Sequence, residues 1–250
     1  MLVFILALQS PEASKDWHQV SRLCERTLRS VCAQTSPAFR VFLVCNVRPE
    51  ISFIHPHLSI IERDFPVPDA TSAARMNDKW RKLKVGLVAA RQLAPAHVMF
   101  VDADDCVHSG LAEHVSRHPD AHGWSMTEGY FHDEGSRWIY RRKDFYNFCG
   151  SSAIVRLAPS DFPQSESDPK EKCFILENGH RTIKQYMSER GAPLQPLPFV
   201  GSVYMTGTGE NDSGIRMSGW QGRRHTLRKL WAARPLTKRI RSDMGLYDLV

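Results

Sequence analysis

Asp102-Ala103-Asp104-Asp105 sets three carboxylates on four consecutive positions, directly after the apolar run Val98 to Val101. Such a run predicts a buried strand, and in an open parallel sheet ligands bind beyond the carboxyl ends of the strands. Carboxylates crowded there call for a cation. Hard oxygen donors on a short turn suit Mg²⁺ or Mn²⁺ bridging to phosphate oxygens, which makes Asp102, Asp104 and Asp105 candidate metal ligands. The plainer alternative has Asp105 capping the next helix and the other two solvated on a turn.

The elements that must position this turn are legible as alternating apolar runs and helical stripes. Val3 to Leu8 reads as a first buried strand. A helix follows whose apolar positions Val20, Leu23, Cys24, Thr27, Leu28, Val31 and Cys32 share one stripe. Val41 to Cys45 and Leu58 to Ile61 read as the next strands, and a helix from about Ala74 to Leu93 should bury Met76, Trp80, Leu83 and Leu87. Strand–helix–strand units of this kind imply right-handed parallel crossovers. After a short helix from Ser109 to His118, Trp124 to Tyr130, Arg137 to Tyr140 and Ser151 to Val155 alternate more like antiparallel strands. Pro159 to Lys172 reads as a mobile loop, and a helix from about Gly179 to Arg190 is stopped by Gly191 and Pro193.

With 250 residues, 42% hydrophobic and 24% charged, the chain is neither disordered nor fibrous, and no apolar stretch suits a polytopic membrane protein. Met1 to Leu8 lacks the basic flank and cleavage site of a signal peptide. The six cysteines contain no C-x-x-C pair, which reads as reduced thiols in a cytoplasmic protein without a zinc site or disulfide framework. From Gly222 to Val250 eight basic residues face two acidic ones, so the whole net charge of +6 resides in this segment. The expected organisation is a single α/β domain over residues 1–220 and a basic tail over 221–250. A nucleic-acid-binding body is not expected.

An α/β first half, a D-x-D after its fourth strand and an antiparallel second half resemble the nucleotide-sugar glycosyltransferases of the GT-A fold, closest to the family 2-like bacterial ones. The resemblance also rests on Thr27-Leu28-Arg29-Ser30-Val31 with Gln34, Asp78-Lys79 with Lys82, Gly150-Ser151-Ser152, and Gly209-Glu210-Asn211-Asp212-Ser213. It implies a GT-A-like fold with a mostly parallel N-terminal sheet and an antiparallel acceptor-side part. It also implies transfer of a sugar from a nucleoside-diphosphate sugar, with a weak preference for a UDP-sugar, to a glycan or lipid-linked hydroxyl. Mn²⁺ or Mg²⁺ would serve as cofactor, with Asp104 as direct ligand and Asp102 contacting ribose or metal.

By the same resemblance Asp78 and Lys82, four apart and so on one helix face, would contact the nucleotide; the alternative is an ordinary surface ion pair. Where many relatives hold the base with an acidic residue, this chain has Asn46. Where many carry a catalytic Glu-Asp pair, it has Glu177-Asn178-Gly179-His180. Glu177 and His180 become the catalytic candidates, His180 as base or as metal ligand, with a partly exposed helix histidine as the alternative reading of His180. Thr206-Gly207-Thr208-Gly209 could present backbone N–H groups to a diphosphate.

A sugar nucleotidyltransferase or a Rossmann enzyme needs a Gly-rich loop after the first strand, and Leu8-Gln9-Ser10-Pro11-Glu12 is not one. A non-catalytic nucleotide-sugar- or glycan-binding module of the same fold stays open. In the tail, Leu227, Leu230 and Trp231 share a helical face ringed by Arg223, Arg224, Arg228 and Lys229. This is read either as a helix packed on the body or as peripheral contact with the anionic inner face of a membrane.

Overall fold

The first apolar run forms strand β1 (Leu2–Ala7), which is apolar throughout because both of its faces are packed against helices. The computed structural model describes residues 1–210 and 232–247. Side chains alternate across a strand. Leu2, Phe4 and Leu6 therefore pack with Val20, Cys24 and Leu28 of helix α1 (Trp17–Cys32). Val3 and Ile5 pack with Leu83, Leu87 and Ala90 of helix α2 (Ser72–Arg91). Gly86 permits the close approach of α2, since a Cβ there would lie 2.3 Å from Ile5 Cγ2. Asp16 caps α1 by accepting from the Gln19 N–H (3.1 Å), and Thr71 Oγ1 caps α2 by accepting from the Ala74 N–H (3.2 Å).

Strands β2 (Phe39–Cys45) and β3 (Leu58–Glu62) extend the sheet in parallel on one side of β1, and β4 (His97–Asp102) lies parallel on the other. Ala7 pairs with both Val44 and Asp102, so β1, β2 and β4 deliver the chain to one edge. The later elements are β5 (Cys106–Val107), α3 (Leu111–Arg117), β6 (Gly123–Ser125), β7 (Glu128–Asp133), β8 (Trp138–Lys143) and β9 (Ala153–Arg156). They continue with α4 (Phe174–Glu177), α5 (Ile183–Glu189), β10 (Gln195–Pro196), β11 (Ser202–Thr206) and β12 (Ala233–Pro235). One sheet has the order β10-β6-β9-β4-β1-β2-β3, with β9 antiparallel to β4 and β6; a second has the order β12-β8-β7-β11-β5 and is mostly antiparallel. The fold is α/β, with a mostly parallel seven-stranded sheet beside a mostly antiparallel five-stranded one.

Four expectations are corrected. Trp124 to Tyr130 is not one strand: β6 pairs with β9 in the large sheet, β7 with β8 and β11 in the small one, and the chain changes sheet at Met126. Met76 is 44% exposed and Trp80 half-buried, because the first half of α2 overhangs a cavity instead of the sheet. Pro159 to Lys172 is pinned by buried Phe162 and by Asp168, whose carboxylate accepts from the Gln164 N–H at 2.7 Å. The helix expected from Gly179 begins at Ile183, after a separate turn at Gly179 to Thr182.

All six cysteines are buried and unpaired. The tail residues Arg223, Arg224, Leu227, Arg228, Lys229, Leu230 and Trp231 lie outside the described residues. Further along that segment β12 pairs with β8, and the helix Lys238–Asp243 leads Met244 and Leu246 into a core with Cys106, Ile139, Val203 and Met205. No helix among the described residues is long and apolar enough to cross a membrane.

Candidate functional site

Beyond the edge where β4 ends in Asp102 lies a cavity of about 800 Å³. Its walls are Gln9 and Ala13 after β1, the first half of α2, Asp102 to Asp104, Gly150, the turn from Asn178 to Ile183, and Tyr204. Sequence-predicted Asp78, Lys82, Asp102, Asp104 and His180 all line it.

The acidic run divides by function. Its turn closes through the Asp105 N–H donating to the Asp102 carbonyl (3.0 Å). Asp102 and Asp104 face the cavity, whereas Asp105 is fully buried beneath it. The Asp105 carboxylate accepts from Ser151 Oγ (2.7 Å), Cys149 Sγ (3.2 Å) and the Met205 N–H (3.2 Å). Ser151 Oγ in turn accepts from the Asp102 N–H (2.8 Å). Asp105 is thus neither helix cap nor cavity-facing ligand; it ties the turn to β11 and to the segment before β9. Burial, then the charges of Asp104 and Asp102, push its carboxyl well above the ordinary range.

Lys79 completes the charged floor. Its Nζ donates to Asp102 Oδ1, and its side chain is 31% exposed. Burial opposes its charge, but the carboxylates of Asp102, Asp104 and Asp105 outweigh that and hold the ammonium above its usual range. Asp104 is pushed up to about 6 by burial and by the Asp102 charge, against the pull of Lys79 and Arg26. Arg26 is itself buried and donates to Glu134 Oε2 at 2.6 Å.

Asp78 and Lys82 are not a surface ion pair. Both are buried, with Lys82 Nζ donating to Asp78 Oδ2 (2.6 Å) and to the Leu8 carbonyl (2.8 Å). Burial pulls the Lys82 pKa down. The second Asp78 oxygen, Oδ1, is buried with no hydrogen-bond partner among the described residues.

His180 sits on the turn before α5, not within a helix. Burial lowers its pKa, and Nε2 is buried without a hydrogen-bond partner among the described residues. The other expected residues are not brought in. Glu177 is exposed at the end of α4, and Asn46 spends its amide on the Phe65 carbonyl (2.8 Å); neither lines the cavity.

Lys79 and Arg75, for which the sequence suggested no role, share the cavity wall with Asp78 and Lys82. Positions 75, 78, 79 and 82 form one helical stripe, a spacing that could have revealed all four. Glu210 also lines the cavity and fastens the loop after β1, accepting from Gln9 Nε2 (3.2 Å) and from the Asp16 N–H (3.1 Å). Asn211, Asp212 and Ser213 lie outside the described residues.

No group of three His, Cys, Asp or Glu side chains is gathered for a metal among the described residues. Mg²⁺ and Mn²⁺ keep several waters and are held by one or two carboxylates plus substrate phosphates. Asp102 and Asp104, two hard donors on one turn facing one cavity, fit that chemistry.

No protein-family model matches the sequence, and no curated protein matches it. Among solved structures the chain is similar to S. aureus TarS 1–349, with 12% identity over 82% of this chain and 60% of that one, at a TM-score of 0.41. A second S. aureus TarS structure gives 12% identity over 82% and 36% of the two chains, at 0.42. The chain therefore spans less than two thirds of either TarS chain. It is also similar to the Francisella tularensis 2-C-methyl-D-erythritol 4-phosphate cytidylyltransferase, with 8% identity over 93% of this chain and all of that one, at 0.41.

Proposed function

We propose that the chain is a glycosyltransferase moving a sugar from a nucleoside-diphosphate sugar to a hydroxyl of a glycan or lipid-linked acceptor. One observation carries this reading: Asp102, Asp104, Lys79 and His180 converge on one cavity at the carboxyl edge of the parallel strands. Asp78 Oδ1, which has no hydrogen-bond partner among the described residues, would accept from a ribose hydroxyl or base N–H. Lys79 supplies positive charge for the departing diphosphate. Asp104 and Asp102 would hold Mn²⁺ or Mg²⁺, which when bound neutralises charge growing on the leaving group. In the transfer the bond from sugar C1 to the phosphate oxygen breaks, and the bond from C1 to the acceptor oxygen forms. The acceptor proton goes to His180 Nε2, whose lowered pKa leaves it free to accept.

The test is a thermal-shift panel of UDP, GDP, ADP and CDP with and without Mn²⁺, followed by assay of sugar transfer or donor hydrolysis. Ligands that bind only the folded state stabilise by RT ln(1 + [L]/Kd), so the preferred base identifies itself. Stabilisation by one nucleoside diphosphate, strengthened by Mn²⁺ and followed by turnover, supports the enzyme. Stabilisation without turnover of any donor leaves a binding module, and no stabilisation by any of them overturns the reading.

A further inference from the structure

We infer that Lys79 is a built-in counter-ion which the donor's diphosphate must draw away before a divalent cation binds tightly, so that cation and nucleotide bind as a coupled pair. The inference rests on the donor reading above. Lys79 Nζ is bonded to Asp102 Oδ1, while Asp102 Oδ2 lies against Gly150, where even a Cβ would stand 2.6 Å away. The ammonium therefore holds the Asp102 oxygen on which a metal would draw. It is tethered, because α2 is fixed around it by the buried Asp78–Lys82 pair that brackets Lys79 and by Leu83 in the core. A free cation must compete with a charge whose effective concentration is set by that tether. A diphosphate offers the ammonium new anionic oxygens and so releases Asp102. Linkage is reciprocal: whatever factor the nucleotide adds to cation affinity, the cation adds to nucleotide affinity.

Mn²⁺ binding to the full chain is followed by loss of the free-ion electron paramagnetic resonance signal, with and without UDP or whichever diphosphate the thermal panel selects. Wild type should bind Mn²⁺ at least tenfold more tightly with the nucleotide than without it. Lys79→Met, which keeps the apolar stem, should bind Mn²⁺ alone at least tenfold more tightly than wild type and the nucleotide at least tenfold more weakly. Lys79→Arg should restore the wild-type pattern, and Lys79→Gln gives the same comparison should the Met variant not fold. A merely structural role would weaken both ligands together. Equal Mn²⁺ affinity of the nucleotide-free wild type and variant, with the diphosphate still bound by wild type, overturns the role of Lys79 alone. Failure of wild type to bind any of the four diphosphates overturns the donor reading, and the inference with it.

Discussion

A Cβ on Gly150 would stand 2.6 Å from Asp102 Oδ2, closer than non-bonded atoms approach. The bare Cα of Gly150 is what lets the Asp102 carboxylate sit at the end of β4 and meet Lys79. The relationship joins a residue of the antiparallel half to the carboxylate that ends the parallel half.

Gly150→Ala should therefore disable the site without unfolding the protein. The added methyl forces the Asp102 carboxylate off its position beside Lys79. We expect nucleoside diphosphate affinity in Mn²⁺ to fall about tenfold, roughly 1.4 kcal/mol, because Asp102 is displaced as a cation ligand, with little change in Tm. Calorimetric titration checks the first and a thermal melt the second.

Neighbouring Asp104 and Asp105 should behave oppositely when each is replaced by Ala. Losing Asp105 removes the buried acceptor shared by Ser151 Oγ, Cys149 Sγ and the Met205 N–H, at a cost of about 2–4 kcal/mol. Losing Asp104 removes a cavity-facing charge that repels Asp102, so stability should change by less than about 1 kcal/mol. Nucleotide binding in Mn²⁺ should nevertheless be lost with Asp104→Ala. Urea denaturation and titration of each variant separate the two effects.

The contrast shows how far the sequence could be read. Strands β1 to β4 were legible because strands buried on both faces are continuously apolar, and the D-x-D stood out because it follows one of them directly. Burial of a charge was not legible. Lys82 is buried because it reaches the carbonyl of Leu8, and Asp105 because it meets partners from beyond residue 148. Such contacts exist only once the chain has crossed between sheets, and nothing local encodes them. Glu177 and Asn46 were assigned by resemblance to positions which here face elsewhere. The stripe Arg75, Asp78, Lys79 and Lys82 was legible in principle, yet Met76 and Trp80 drew the apolar reading of the same turns.

Lys82→Met should be among the most destabilising changes to the cavity wall. Removing one partner of a buried ion pair leaves the other charge uncompensated, which costs about 3–5 kcal/mol. Asp78 then loses Lys82, and its Oδ1 has no other partner among the described residues. Adding Asp78→Asn should recover part of the loss. A double-mutant cycle in urea measures it, with a coupling of roughly 1–3 kcal/mol expected.

His97 predicts an acid-sensitive stability unconnected with the site. Its ring is fully buried against Trp124 (centroids 5.2 Å apart), with Nε2–H donating to the Ala121 carbonyl at 2.8 Å. Burial brings its pKa down to about 4 from 6.5. The folded protein keeps the ring neutral while the unfolded chain takes up a proton, so this contribution is complete above pH 6.5 and is lost as pH falls towards 4. Between pH 7 and 4.5 wild type should lose about 2 kcal/mol through this group. His97→Gln should flatten that part of the profile in urea melts at the two pH values.

His180 carries the chemistry in the proposed reaction, and its surroundings set the sign of the pH dependence. A general base must be neutral to accept the acceptor proton, so activity should fall as the pH drops through the His180 pKa. Burial is the leading cause of its depressed value, and the Lys79 and Arg181 charges add to it against the pull of Asp102. The acid limb of kcat should therefore have its midpoint below 6.5 in wild type. His180→Gln should abolish that limb and lower kcat about 10²- to 10⁴-fold. Nucleoside diphosphate affinity should change little, since the residue acts on the acceptor side. A pH–rate profile that keeps its acid limb in His180→Gln, at an undiminished kcat, would assign the proton to another group.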